Sequence, residues 1–396
     1  MKKNKKKNKK GILIRDGFLS TILSLLACYI ISLLFFNISF FNPLSKALED
    51  FSFLDVYYGE RLDEVVTIDP NIVLINIEDS QRLEIANALV EVLKEDPKVV
   101  GFDIILEQLE NTAADSALFR LLNHKKVVSG YVLDVNGVTS NHPFFQGEGA
   151  AGFVNFNFGY QDAVVREYTG YYEQPKKLHS AFSVALAKKF LSKKNWEKRN
   201  LGQELASTRV INYQGNYERF LNFTIAEFMA LSNKSIIKDK AVLIGYLGTP
   251  TGNIYDVEDK HFTPLNRITA GKSVPDMYGP TVHANILSMI ITDSFMYKIS
   301  NFWLLVWTFL FSFLASIYFI WLDKRLKISY RTVRKAVLFV FAIVMVWLTL
   351  ILFKYGVVLK STPIIAVTIF SAGFVKYYKH LVRYINTKRK FKSYLK

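Results

Sequence analysis

Four long apolar runs mark the chain, at 18–36, 302–322, 336–353 and 357–375. Each has roughly the 17–25 residues that a helix needs to cross about 30 Å of hydrocarbon. Between the first and second runs the pattern changes to short apolar stretches divided by polar turns. It predicts transmembrane helices at 17–38, 301–322, 336–353 and 357–375, with residues 39–300 as one folded domain. The fourth run carries Lys360 near its start, where the side chain can snorkel to an interface, and Pro363, which is tolerated in a first helical turn. The first run is followed by Asn37-Ile-Ser-Phe-Phe41, which lacks the small residues of a signal cleavage site, so it reads as an uncleaved anchor.

Within 39–300 the periodicity alternates between strand and helix. NIVLINIED (71–79) and KVVGFDIIL (98–106) read as buried strands. Between them Ser80 caps a helix whose apolar face is Leu83, Ile85, Ala86, Leu89, Val90 and Leu93. A short helix at 112–122 and a strand at 125–134 continue the alternation. GFVNFNF (152–158) and VVREYTGYYE (164–173) read as an antiparallel hairpin. Asp162 and Arg166 form an ion pair across its turn, and its Phe and Tyr residues are packed as core or line an apolar pocket. A helix at 179–191, a strand at 209–213 and a helix at 224–231 capped by Thr224 follow. KAVLIGYLG (240–248) is a third buried strand, a Gly/Pro/Asp-rich loop covers 249–280, and a helix runs from 281 to 293. Residues 39–70 are expected to form a connecting helix and loop. The fold class expected is an α/β extracytoplasmic domain with a mixed sheet, flanked by one transmembrane helix before it and three after.

The charge map orients this plan. The net charge of +16 suggests nucleic acid only until its distribution is examined. Residues 1–16, 323–335 and 376–396 together hold 22 Lys/Arg and two Asp/Glu, whereas 39–300 hold 26 and 32. Basic flanks lie on the cytoplasmic side, so both termini and the 323–335 loop are assigned there and the acidic domain outside. The partners expected are membrane lipids at the basic flanks and no nucleic acid. The only cysteine, Cys28, lies in the first run, so the outer domain has neither disulfide nor thiol chemistry. No zinc-type Cys/His spacing occurs.

The segments LINIEDS, KVVGFDII, GFVNF with DAVVREY, AFSVALA, INYQG, KAVLIGYLG, DKHFTPLN and PDMYGPTVHANILSMI occur in an order familiar from one bacterial family. Over about residues 45–320 the chain resembles the CHASE domain, type two, the extracytoplasmic sensory domain associated with cyclases and histidine kinases. The resemblance implies a multi-pass protein of the bacterial plasma membrane: one span, the sensory domain, three more spans, then a cytoplasmic output domain. About 20 residues follow the last expected span, so a sensor acting through a partner protein is the expectation. An envelope structural or assembly module is the alternative, and no enzyme activity is expected.

Candidate chemistry lies where the three buried strands end. Glu78 and Asp79 close the first, Asp103 lies late in the second, and the third runs into Gly245 and Gly248. Ligands of open α/β sheets bind beyond the carboxyl ends of the strands. Asp256, Asp259 and His261 follow on the long loop, and His283 opens the last helix. Glu78, Asp79, Asp103, Asp259 and His283 are the candidate ligand-binding set, suited to a hard cation or a cationic molecule. Structural roles compete with this reading. Asp79 with Ser80 can cap a helix, Asp259 can make an Asx-turn, Asp103 can be a buried acid held by backbone N–H groups, and His283 a satisfied core histidine. No nucleophile elbow is present, and Gly245–Thr249 lacks the lysine of a phosphate-binding loop.

Overall fold

The computed structural model describes residues 2–37, 57–58, 67–110, 112–133, 141–156, 164–174, 177–266, 274–326 and 330–395. The chain divides into two compact units, one of Met1–Phe53 with Lys298–Lys396 and the other of Leu54–Tyr297. Most of the expected 39–70 connection lies outside the described residues.

The first unit is helical. Helix α1 spans Lys2–Asn37. Its stretch Lys9–Leu33 is, among the described residues, one of three helical segments long and apolar enough to cross a membrane, with Asn301–Arg325 and Tyr330–Lys354. The fourth expected run falls on the helix Ser361–Lys388, which is not among these three. That helix starts at Ser361 rather than 357 because Val357–Val358 is extended, and Ser361, Thr362, Thr368, Ser371 and Lys376 dilute its apolar character. Small residues let these helices approach closely. A Cβ on Gly17 would lie 2.4 Å from Ile317, and Ser24 Oγ meets Ser371 Oγ at 2.8 Å. Asp16 is fully buried, and its carboxylate accepts from Ser393 Oγ at 2.6 Å and Tyr394 N–H at 2.7 Å.

The second unit is built on a sheet of six strands: β1 (Asp69–Asn76), β2 (Val99–Asp103), β3 (Val127–Tyr131), β4 (Ala150–Phe153), β5 (Phe220–Thr224) and β6 (Ala241–Gly245). Their order is β4-β3-β2-β6-β1-β5, and every pairing is parallel. The mixed sheet expected from the sequence is corrected accordingly, since the antiparallel pairings lie in separate two-stranded ladders. The expected hairpin is also corrected. Gly152 and Phe153 belong to an edge strand parallel to β3, Tyr168 pairs with Arg209, and Tyr171–Gln174 pairs with Lys177–Ser180. The reason is packing: Gly152 brings β4 so near a helix start that a Cβ there would lie 2.6 Å from Phe182 Cα. Asp162 lies outside the described residues, and Arg166 is buried.

Helices cover both faces, the arrangement a parallel sheet requires. Helices α2 (Arg82–Lys94), α3 (Ala113–Leu122) and α4 (Ile225–Ala230) lie on one face. Val73, Ile75, Val100, Phe102, Val242 and Ile244, alternate residues of β1, β2 and β6, point into that layer's core. Helices α5 (Phe182–Phe190) and α6 (Gly279–Thr292) pack together on the other face, where a Cβ on Gly101 would meet Phe182 at 2.9 Å. Helix α2 is capped by Gln81 rather than Ser80: the Glu84 carboxylate accepts from the Gln81 N–H at 2.9 Å. Leu83 and Val90 are exposed, and Ala88 and Val92 take the inner positions. Thr224 caps α4 as expected, its hydroxyl accepting from Glu227 N–H at 3.1 Å.

Candidate functional site

Strands β2 and β6 are neighbours, with Asp103 opposite Gly245 at their carboxyl ends. The chain leaving β2 forms α3 on one face, and the chain leaving β6 forms α6 on the other. Adjacent strands whose connections part to opposite faces open a crevice between them. Here the crevice is a cleft of about 840 Å³. Its floor comes from strand ends (Ile77, Asp103, Val132, Val154), its rim from Glu258, Asp259 and His261, and its far wall from Gly279, Pro280 and His283.

Asp103 sits at the middle of this arrangement because three glycines leave room for it. A Cβ on Gly130 would lie 3.5 Å from its Oδ1, one on Gly245 3.2 Å from its Cβ, and one on Gly279 4.0 Å from its Oδ2. The same notional Cβ on Gly279 lies 3.9 Å from His261 Nε2, so the imidazole and the carboxylate border one point. Burial pushes the Asp103 carboxyl up to about 7, and the charge of Asp259 adds to the shift. His261 moves below its ordinary value through burial, with Asp259 opposing. Phe156 stands between the two imidazoles, its ring centroid 4.9 Å from His261 and 4.4 Å from His283.

His283 has a different character. It is buried, its Nδ1 meets Ser183 Oγ at 2.9 Å, and Phe182 packs edge-on at 5.1 Å. Burial, and then His261, pushes it down to about 3, while the Val154 backbone pulls the other way. It is a neutral core imidazole whose edge reaches the cleft wall.

Of the five candidate residues, the cleft gathers Asp103, Asp259 and His283. Glu78 and Asp79 lie on the turn after β1 and do not line it. Glu78 has a positive φ of 44°, and its N–H donates to Asn76 Oδ1 at 3.1 Å, so the turn directs the chain toward α2. Asp256 does not line the cleft either. It accepts a hydrogen bond from Tyr246 OH and one from Glu258 N–H at 3.1 Å, and so makes the Asx-type contact expected of Asp259. Asp276 holds the loop from the other side, accepting from Thr263 N–H at 2.8 Å, and burial pushes its carboxyl up to about 6. Asn155, Tyr246 and Glu107 also border the cleft. The sequence reading missed them because they lie one or more residues past strands whose ends only the structure fixes.

Among the described residues no group of three or more His, Cys, Asp and Glu is arranged to hold a metal ion. The cleft instead presents four carboxyl groups, Asp103, Glu107, Glu258 and Asp259, with Asp103 poised near neutral, an accessible imidazole and an aromatic face. A cation that displaces the Asp103 proton gains a charged partner in a poorly solvated setting.

No curated protein and no solved structure matches the chain. The CHASE2 domain family matches residues 26–320, a span that contains the whole parallel-sheet unit and its cleft. The chain belongs to the CHASE2 domain family, a family of sensory extracellular domains.

Proposed function

We propose that this protein is a membrane-anchored sensor whose outer domain binds a small cationic ligand in the cleft around Asp103 and acts through a partner protein. The observation that carries the reading is the position of Asp103 at the crevice between β2 and β6, crowded by glycines and facing Asp259 and His261. Family membership supports a sensory rather than a catalytic role. The three apolar helical segments support a multi-pass protein of the bacterial plasma membrane, and the basic flanks support both termini inside and the domain outside, with Ser361–Lys388 as the fourth crossing this requires. An amine suits the cleft better than an anion, because among the described residues Asp103, Glu107, Glu258 and Asp259 border it and no Lys or Arg does.

The test is a thermal-unfolding titration of the full chain in neutral detergent with putrescine, arginine, magnesium and acetate. Stabilisation by an amine or by magnesium in the wild type, lost in Asp103→Asn, supports the reading. Equal shifts in both proteins, or a shift with acetate alone, would overturn it. If none of the probes binds and a pull-down from native membranes recovers envelope assembly proteins, the interaction-module alternative is the better account.

A further inference from the structure

The helices at the basic end of the first unit enclose a second hollow, of about 910 Å³. One wall is the helix Ser361–Lys388, on which Lys376, Lys379 and Arg383 recur at intervals of three and four. This spacing keeps them on one side of a helix. The adjoining face carries Val375, Tyr378 and Val382, each one residue before a member of the stripe and buried in a core with Phe319 and Ile320. The basic stripe is thereby held toward the hollow. The second wall is the first turn of the helix Tyr330–Lys354, where Arg331 and Arg334 stand three apart.

Among the described residues, five cationic side chains therefore border the hollow against one carboxylate, Asp323, a balance of +4 for these six. Lys379 already engages Asp323. Among the described residues, Arg331, Lys376 and Arg383 have no carboxylate partner. Like charges gathered beside low-dielectric helices repel one another, and an anion in the hollow would reverse that cost. Leu326 and Tyr330 also line the hollow and pack against the apolar core around Phe319 and Ile320, so the basic groups adjoin an apolar surface.

We infer that this hollow is a binding site for a phosphate-bearing anion, the headgroup of an acidic phospholipid or a soluble phosphate. Arginine pairs match phosphate oxygens through two parallel N–H donors, and lysines add point charge. Basic pockets between helix ends on the cytoplasmic side suit anionic headgroups.

The test uses the full chain in neutral detergent, titrated separately with dioctanoyl phosphatidylglycerol, dioctanoyl phosphatidylcholine and sodium pyrophosphate. Binding is read by native mass spectrometry and thermal unfolding. Phosphatidylglycerol should bind with at least about tenfold preference over phosphatidylcholine, and the triple variant Arg331→Gln, Arg334→Gln, Arg383→Gln should lose that preference. The variant Arg389→Gln, Lys390→Gln, which removes charge outside the hollow, should keep it. Pyrophosphate binding that depends on the same three arginines, without lipid selectivity, assigns the site to a soluble phosphate. If the triple variant does not fold, Arg331→Lys with Arg334→Lys keeps the charge and removes the paired donors, and binding should weaken. The inference is overturned if neither anion binds, if a folded hollow variant (the triple glutamine or, where that fails to fold, the double lysine) retains full binding, or if the Arg389 and Lys390 variant loses as much.

Discussion

The side-chain amide of Asn76 donates to the Gly248 carbonyl at 2.7 Å, joining the end of β1 to the loop that leaves β6. Its nitrogen also reaches Thr251 Oγ1 at 2.9 Å, and its oxygen accepts from Leu247 N–H at 2.8 Å and Glu78 N–H at 3.1 Å. The residue is fully buried, so the loop's polar groups depend on it for partners. Asn76→Ala should destabilise the protein by about 2–4 kcal/mol, since several buried groups lose partners together. Asn76→Asp keeps both acceptor bonds but sets a carboxylate against the Gly248 carbonyl. It should be the more harmful change at neutral pH and recover partly in acid, a contrast that thermal unfolding at two pH values measures.

His283 and Ser183 form a buried polar pair within the layer of α5 and α6. Ser183→Ala leaves the imidazole nitrogen without its partner and should cost about 1–3 kcal/mol. In the folded protein His283 is pushed down to about 3, so it is neutral throughout the range from pH 6 to 8. The loss of stability should therefore be the same at pH 6 and pH 8, and amine binding should persist. A Ser183→Ala protein that loses amine binding while remaining folded would show that His283 acts on the ligand.

The three central strands were legible because each is a run of β-branched and aliphatic residues with Gly or Asp at its end. Val73, Val100 and Val242 are fully buried for that reason. The edges were not. Phe220–Thr224 is a five-residue strand with one buried position, followed at once by α4, and its sequence FLNFT matches no strand or helix period. Gly152 and Phe153 looked like half of a hairpin because alternation says nothing about which neighbour a strand takes. That choice was made by the backbone of Phe182, far along the chain. The same holds for the site. Asp103 could be read from its position late in a strand, whereas the placement of Glu78 away from the cleft depends on a positive-φ turn that Asn76 stabilises.

Reporter fusions examine the orientation of the chain. Residues 1–16, 323–335 and 376–396 carry 22 basic and two acidic residues, and positive flanks are retained inside. Alkaline phosphatase fused after Lys10, Thr332 or Lys390 should be inactive, and after Asn200 active. The Lys390 fusion also decides whether Ser361–Lys388 crosses the membrane, because three crossings would bring Lys390 out and make that fusion active.

Asp103 makes the stability of the protein depend on pH in an unusual direction. An ordinary carboxylate titrates near 4, and Asp103 is pushed up to about 7 by burial. Between these values the folded protein holds a proton that the unfolded chain releases. A group whose folded pKa is raised contributes stability that is complete below its unfolded pKa and is lost as pH rises through the folded one. The contribution of Asp103 should therefore decline from about pH 4 to about pH 7, by at most about 4 kcal/mol. His283 works in the opposite sense, since its lowered folded pKa makes stability grow until about pH 6.5, which masks the effect in the wild type. The difference between Asp103→Asn and wild type isolates it. Asparagine is nearly the same size and does not titrate, so the advantage of the variant should be smallest near pH 4, widen to about pH 7 and then level off. Saturating amine should narrow that gap at pH 7.5 by stabilising only the wild type, because the ligand needs the Asp103 carboxylate charged. A difference that does not change with pH would mean that Asp103 titrates as an ordinary surface acid, and the cleft would lose its reason to prefer a cation.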